Sequence, residues 1–415
     1  MRLMNAAMCA ALMAAGGLPP AAADFAVQDG DVVVFLGDSI TAAREYGKII
    51  EQYTLLRYPA RKARFINAGW GGDTAAGGLA RLERDVFSRK ATLLTVAYGV
   101  NDIGWGGKAD DEHKQKYLDG VKGIVLKCKE RGVRVYICSA AVTGADPDTS
   151  ENDYLQKMCD EGMALSRSLG GGAIDVQRTM RGIQKRVKAA NAQAKTEKEK
   201  RTLHAEDGIH LNDLGQLAMA FAILKGLGAP ADVSSAVVGA DGPKVLEAAG
   251  CKVTALEGGK DRVAFTRLDE GLPLNNGLFW PLMNFLFIPI PEELNRYMLT
   301  VKDLDPGRYE VRVDERAVGT FSREQLAAGV NLSSATADGW APGGPWAAQA
   351  WLLKMPTDAR NELDNARKLS GEYLKTNPDR PAADEQAGRI IAEVEALQRL
   401  IARPAPYRFV ISKVK

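Results

Sequence analysis

From Asp31 onward the chain repeats one pattern: a short apolar run, a turn, then apolar residues at helical spacing. That alternation is the signature of βαβ units, because two parallel neighbours in a sheet need a long crossover between them and a helix supplies it. Residues 32–36, 64–67, 93–97, 133–138 and 173–176 read as the strands. Tyr117, Val121, Ile124, Val125 and Cys128 form one helical stripe, Tyr154, Leu155, Met158, Leu165 and Leu169 another, and a last helix over 213–227 closes the layer. The sequence therefore predicts a flavodoxin-like α/β/α sandwich around a five-stranded parallel sheet, with ligands at the carboxyl ends of the strands. Residues 185–201, rich in Lys, Arg, Gln and Glu, read as an exposed helical excursion rather than a binding patch.

Past Ala229-Pro230 the rhythm changes. Strands are expected at 262–268, 297–301 and 308–313, the last two joined by the turn Asp305-Pro306-Gly307. Two long helices follow, 358–375 striped by Leu363, Ala366, Leu369 and Tyr373, and 382–403 striped by Ile390, Val394, Leu397 and Ile401. Asn377-Pro378 between them predicts an antiparallel helical hairpin, and 407–414 a closing strand. The expected division is 1–23, 24–229 and 230–415. The last part is expected to pack on the one before it, since no long Gly/Ser or Pro-rich linker intervenes and the apolar stretch 278–290 needs cover.

Residues 1–23 read as a signal peptide: Arg2, an apolar run over 4–15, Gly16-Gly17, Pro19-Pro20, and Ala21 and Ala23 at the positions a signal peptidase requires. The mature chain would start at Asp24 and be exported to the periplasm or the exterior. Cys9 leaves with the peptide, and no later run has the uninterrupted length of a transmembrane helix. Cys128, Cys138, Cys159 and Cys251 remain, too sparse for a disulfide framework; buried thiols are the default and one bridge stays open. With no CxxC pair and only His113, His204 and His210, no metal site is expected. Lys plus Arg number 54 against 52 for Asp plus Glu, a balance that excludes nucleic acid as the main partner.

Four places carry chemistry. The first strand runs into Gly37-Asp38-Ser39-Ile40-Thr41, which sets a serine where a strand turns into a helix; the G-x-S-x-G elbow is absent. After the second strand comes Asn67-Ala68-Gly69-Trp70-Gly71-Gly72-Asp73-Thr74, where glycine amides can approach a developing oxyanion unhindered. The third strand leads into Gly99-Val100-Asn101-Asp102, offering a side-chain amide. Finally, Asp207-Gly208-Ile209-His210 places a carboxylate three residues before a histidine, the pair a serine nucleophile needs as base and orienting partner. Taken singly, each is as well explained by turn and cap chemistry.

In this order the four resemble the blocks of the SGNH hydrolases, the GDSL esterase/lipase superfamily. Gly72-Asp73-Thr74 followed by Gly78-Leu79-Ala80-Arg81-Leu82 follows the second block closely, which selects Gly72 over Gly69 and Gly71; Ile40 replaces a leucine in the first. The resemblance covers about 31–227. It implies Ser39 as nucleophile, His210 as base, Asp207 as its orienting partner, an oxyanion hole of the Ser39 and Gly72 amides with the Asn101 side chain, an ester as substrate, and no cofactor. It does not fix the substrate. Trp70 and Trp105 beside the second and third blocks offer flat faces for a sugar ring, which with export favours a carbohydrate O-acetylesterase. The alternatives are a lipolytic or aryl esterase, its acyl groove lined by 278–290, and a polysaccharide-binding protein with a relic hydrolase domain. Trp340, Trp346 and Trp351 are either a second sugar surface or the core of the appended part.

Overall fold

The protein is described by a computed structural model, which covers residues 25–144, 146–148, 153–275, 277, 283–341 and 343–414. The expected signal peptide lies outside the described residues. Strands β1 (Val32–Gly37), β2 (Arg64–Gly69), β3 (Leu93–Ala97), β4 (Arg134–Cys138) and β5 (Gly172–Ile174) form an all-parallel sheet in the order β2-β1-β3-β4-β5. The period-two alternation of side chains splits β1 between two cores: Val33 and Phe35 face one, Val34 and Leu36 the other. The intervening helices are α1 (Ser39–Ala42), α2 (Glu45–Arg57), α3 (Ala75–Ala80), α4 (Asp111–Glu130), α5 (Tyr154–Ser168), α6 (Val176–Asn191) and α7 (Asp213–Gly226). Two sequence-based boundaries shift. The fifth strand stops at Ile174 because Asp175 caps α6, its carboxylate accepting from the Arg178 amide at 3.0 Å. The helix then begins at Val176, so the expected excursion at 185–201 is partly the end of a helix whose buried face holds Val176, Met180, Ile183 and Val187.

Beyond Pro230 the chain forms β6 (Asp232–Gly239), β7 (Lys244–Ala249), β8 (Cys251–Gly259), β9 (Arg262–Asp269), α8 (Ile290–Glu293), β10 (Arg296–Lys302), β11 (Arg308–Val313), β12 (Arg316–Ser322), α9 (Arg323–Ala328), β13 (Val330–Asn331), α10 (Pro345–Tyr373), α11 (Arg380–Ile401) and β14 (Tyr407–Lys413). Its sheets run β13-β10-β6-β7 and β12-β11-β14-β9-β8. Trp346 is fully buried between them, 4.8 Å from the Tyr297 ring and stacked at 6.0 Å on Phe409, with its indole N–H on Ser333 O; it is core. Trp340, by contrast, is largely exposed. Of the stretch 278–290, residues 278–282 lie outside the described ones, while Phe285, Ile288 and Ile290 are buried. All four described cysteines are free thiols, Cys128, Cys138 and Cys159 buried.

The two parts meet closely. Leu272 N donates to Leu56 O at 2.8 Å, Tyr53 Oη to Pro230 O at 3.1 Å, and the Arg57 guanidinium to the Asp232 and Leu294 carbonyls. The antiparallel pair α10/α11 lies over α2 and β2, the edge of the parallel sheet, and a buried bidentate pair, Arg360–Glu51 (2.5 and 2.9 Å), sits at the centre of that contact. Among the described residues no helix is long and apolar enough to cross a membrane.

Candidate active site

At the carboxyl end of β1 the chain turns directly into α1. Asp38, in extended conformation, caps that helix through a 2.9 Å bond from the Ile40 amide, and this sets half-buried Ser39 at its first position. There the Ser39 amide has no helical acceptor to reach, and it donates to none among the described residues.

The histidine arrives on a pinned hairpin. His204 pairs with Leu211 in an isolated bridge, Ala205 N donates to His210 O at 2.8 Å, and Gly144 N donates to Gly208 O at 2.9 Å. Buried His204 anchors the base of the hairpin: its Nε2 lies 2.7 Å from Val142 O, so Nε2 carries the proton, and burial lowers its pKa. At the tip, His210 Nε2 is 2.8 Å from Ser39 Oγ and Nδ1 is 2.5 Å from Asp207 Oδ2. Asp207 Oδ1 accepts from the Ile209 and His210 amides, both at 2.9 Å. The imidazole bond, then the two amides, hold the Asp207 carboxyl down at about 2.

The glycine-rich turn leaves β2 at Gly69, where a Cβ would meet Ala42 N at 2.2 Å; only glycine lets α1 approach so closely. Gly72 has φ +73°, is exposed, and its amide also donates to no acceptor among the described residues. Arg81 fixes the turn from below, with Nε 2.7 Å from Asp73 Oδ2, Nη1 2.6 Å from Ala68 O, and Nη2 3.1 Å from Gly37 O and 2.8 Å from Tyr98 Oη. The Tyr98 hydroxyl in turn donates to Asp73 Oδ2. Asn101 is held at both ends of its amide: Nδ2 donates to Asp73 O at 3.1 Å, and Oδ1 accepts from the Trp105 indole at 2.9 Å. That contact fixes Nδ2 as the end facing the turn, with a second N–H to spare. Below lie two buried carboxyls, Asp38 and Asp102, raised by burial to about 7 and about 6.

Ser39, Asp207 and His210 thus converge, and Gly72 and Asn101 are joined through Asp73. The two tryptophans part company. Trp105 meets the His210 ring edge-on at 5.7 Å and, with Val100, Ile103, Leu155 and Ile209, lines a pocket of about 140 Å³ beside it. The ring contacts of Trp70 are with Tyr373 (6.5 Å), Arg84 (5.8 Å) and Lys368 (5.6 Å), two of them on α10. Arg81, Tyr98 and His204 had no assigned role in the sequence; Arg81 stood inside the quoted glycine block, and only its reach to the Asp73 carboxylate and the Ala68 and Gly37 carbonyls distinguishes it from a surface arginine.

Residues 35–218 match the GDSL-like lipase/acylhydrolase family, with every block described above inside that span. This stretch is an SGNH hydrolase domain. A domain of this family is a carboxylic ester hydrolase in class. The chain's fold, C-terminal part included, is shared with a gut microbial diltiazem-metabolizing enzyme: TM-score 0.77 at 21% identity, over 94% of this chain and 98% of that one. An acetylxylan esterase from Geobacillus stearothermophilus is similar over 49% of this chain and 96% of its own, at 19% identity and TM-score 0.41. No curated protein matches the chain.

Proposed function

We propose that the protein is an exported serine esterase that removes short acyl groups, most favourably acetyl, from a carbohydrate. The observation that carries the ester chemistry is the run of bonds from Ser39 Oγ through His210 to Asp207, at 2.8 and 2.5 Å; the Ser39 and Gly72 amides have no acceptor among the described residues. Ser39 Oγ attacks the ester carbonyl while His210 Nε2 takes its proton. The tetrahedral oxyanion is met by the Ser39 and Gly72 amides and the free N–H of Asn101, and collapse expels the alcohol, protonated by His210. Water then repeats the sequence on the acyl-enzyme and releases the acid. Asp207, ionised throughout the working range, keeps the Nδ1 proton in place.

Support for a short acyl group is the size of the pocket next to His210. About 140 Å³ lies well below the roughly 300–1,000 Å³ of sites that enclose drug-sized ligands. The half-exposed Trp105 face beside it suits a sugar ring. Export rests on the pattern of residues 1–23. Ser39→Ala and His210→Ala should each abolish hydrolysis of p-nitrophenyl acetate without loss of fold, and a phosphonate ester should label the wild-type serine alone. A panel of acetylated oligosaccharides and p-nitrophenyl esters of rising length then tests the substrate. Preference for acyl chains of about eight carbons or more would favour the lipolytic reading, since a pocket this small leaves such a chain in water.

A further inference from the structure

The edge strand β2 presents alternate carbonyls outward, and two of them, Phe65 O and Gly69 O, lie four residues or about 13 Å apart. On α10, Arg360 and Lys368 are eight residues or about 12 Å apart. The spacings agree, and the helix caps both: Arg360 Nη1 is 2.8 Å from Phe65 O, and Lys368 Nζ is 2.8 Å from Gly69 O. Arg360 is balanced by Glu51, whereas half-buried Lys368 has no carboxylate within 4.0 Å among the described residues. An ammonium withdrawn from water without a counter-ion is costly. This one sits on the carbonyl that begins the glycine-rich turn and over the Trp70 ring, the next residue.

We propose that Lys368 is a positioning residue for ester hydrolysis: reaching in from the C-terminal helical hairpin, it fixes the Gly69 carbonyl and the Trp70 ring so that the Gly72 amide is held toward the oxyanion. This rests on the reading of Gly72 as an oxyanion donor. Gly69 is gripped on three sides, by Asn67 Oδ1 on its amide (3.0 Å), by α1 against its Cα, and by Lys368 on its carbonyl. Of these only Lys368 comes from outside the hydrolase domain. The charges around it are Arg81 and Asp85 below the turn, Arg44 after α1, and Asp364 on its own helix, with Arg84 and Glu372 paired on the far side of Trp70. Burial first, then Arg81 and Arg44, lower its pKa to about 8, so the charged grip weakens as pH rises through that value.

The test is steady-state hydrolysis of p-nitrophenyl acetate by the full chain from about pH 6 to about pH 9, with melting temperatures, for wild type, Ser39→Ala, Lys368→Met and Lys368→Gln. Lys368→Met should lower kcat by about tenfold to a hundredfold with KM within about twofold. Wild type should show a fall in kcat near pH 8 that the Met variant lacks. Lys368→Gln, which keeps an N–H for Gly69 O without the charge, should recover part of kcat and also lack that fall; if Lys368→Met does not fold, the Gln variant carries the same readouts. Wild-type kcat and an unchanged alkaline fall in a folded variant overturn the proposal. Ser39→Ala turning over at the wild-type rate would instead overturn the reading of the site itself.

Discussion

Trp105 holds a backbone conformation that bulky L-residues avoid, φ 57° and ψ 29°, at a cost of about 1–2 kcal/mol. What that strain maintains is visible: the indole N–H on Asn101 Oδ1 and the ring edge against His210. Trp105→Ala should therefore lose a similar factor in kcat on p-nitrophenyl acetate and on an acetylated oligosaccharide, because it releases Asn101, the proposed oxyanion donor, as well as the proposed sugar platform. Loss confined to the oligosaccharide would mean that Asn101 keeps its orientation unaided. Asp38 makes a second prediction. Burial raises its carboxyl from 3.8 to about 7, so the folded chain binds more protons than the unfolded one between those values. Stability contributed by this group then falls as pH rises through that window, and the penalty is complete above about 7. Asp38→Asn, which can still cap Ile40 N, should raise Tm by several degrees at about pH 8 and by little near pH 4. At this scale the sequence was most legible: the three residues proposed as the triad, which the structure brings together, all sit in short-range motifs, serine after a strand and D-x-x-H in one turn. Lys368 was not legible, because its partner lies 299 residues away and Lys368 itself belongs to no motif.

Among the elements, the central parallel strands β1 and β3 could be read because each is a nearly continuous apolar run buried on both faces. The helical hairpin could be seen but its face could not. Apolar spacing pointed to Leu369, Tyr373 and Leu397, and all three are exposed. The buried side of α10 is instead Trp346, Ala350 and Leu353 followed by Thr357, Arg360, Asn361 and Asp364, a polar surface that hydrophobic periodicity cannot mark. Its start, thirteen residues before the expected 358, was hidden by Pro356, which α10 tolerates in its interior. The Glu51 carboxylate also accepts from Gln398 Nε2 (2.8 Å) and Asn361 Nδ2 (3.2 Å), so α2, α10 and α11 meet on one buried charge. Arg360→Leu should destabilise the protein by about 3–5 kcal/mol by stranding that carboxylate, and adding Glu51→Leu should restore most of the loss. Chemical denaturation of the two variants separates this from a plain packing defect, in which the second substitution would add to the first.

For the whole molecule, the parallel sheet is finished by the other half of the chain: one of the two hydrophobic cores runs from Val33 and Phe35 on into Phe265, Tyr297 and Trp346. A chain ending at Gly228 should therefore be poorly soluble or melt well below the full protein, as it would bare both that core and the β2 edge. Full solubility and unchanged melting would show two independent units. The sequence hinted at this through the missing linker and the apolar stretch 278–290; the nine strands described after Pro230 include β6, β7, β8 and β12, which short alternating runs on a half-solvated surface did not announce. The order β12-β11-β14-β9-β8 also has a consequence in time. β14 fills the gap between β9 and β11, yet it is synthesised 94 residues after β11 ends at Val313 and begins at Tyr407 (407 − 313 = 94). A chain emerging from its N-terminus can bring Ser39, Asp207 and His210 together on the parallel sheet early, but β9 and β11 must wait, unjoined, until α10 and α11 have been made. Translation thus delivers Ser39 and His210 well before the sheet next to α10 can close, and if the proposed roles of Ser39 and Lys368 hold, a nascent chain should stay a poor esterase until β14 has emerged.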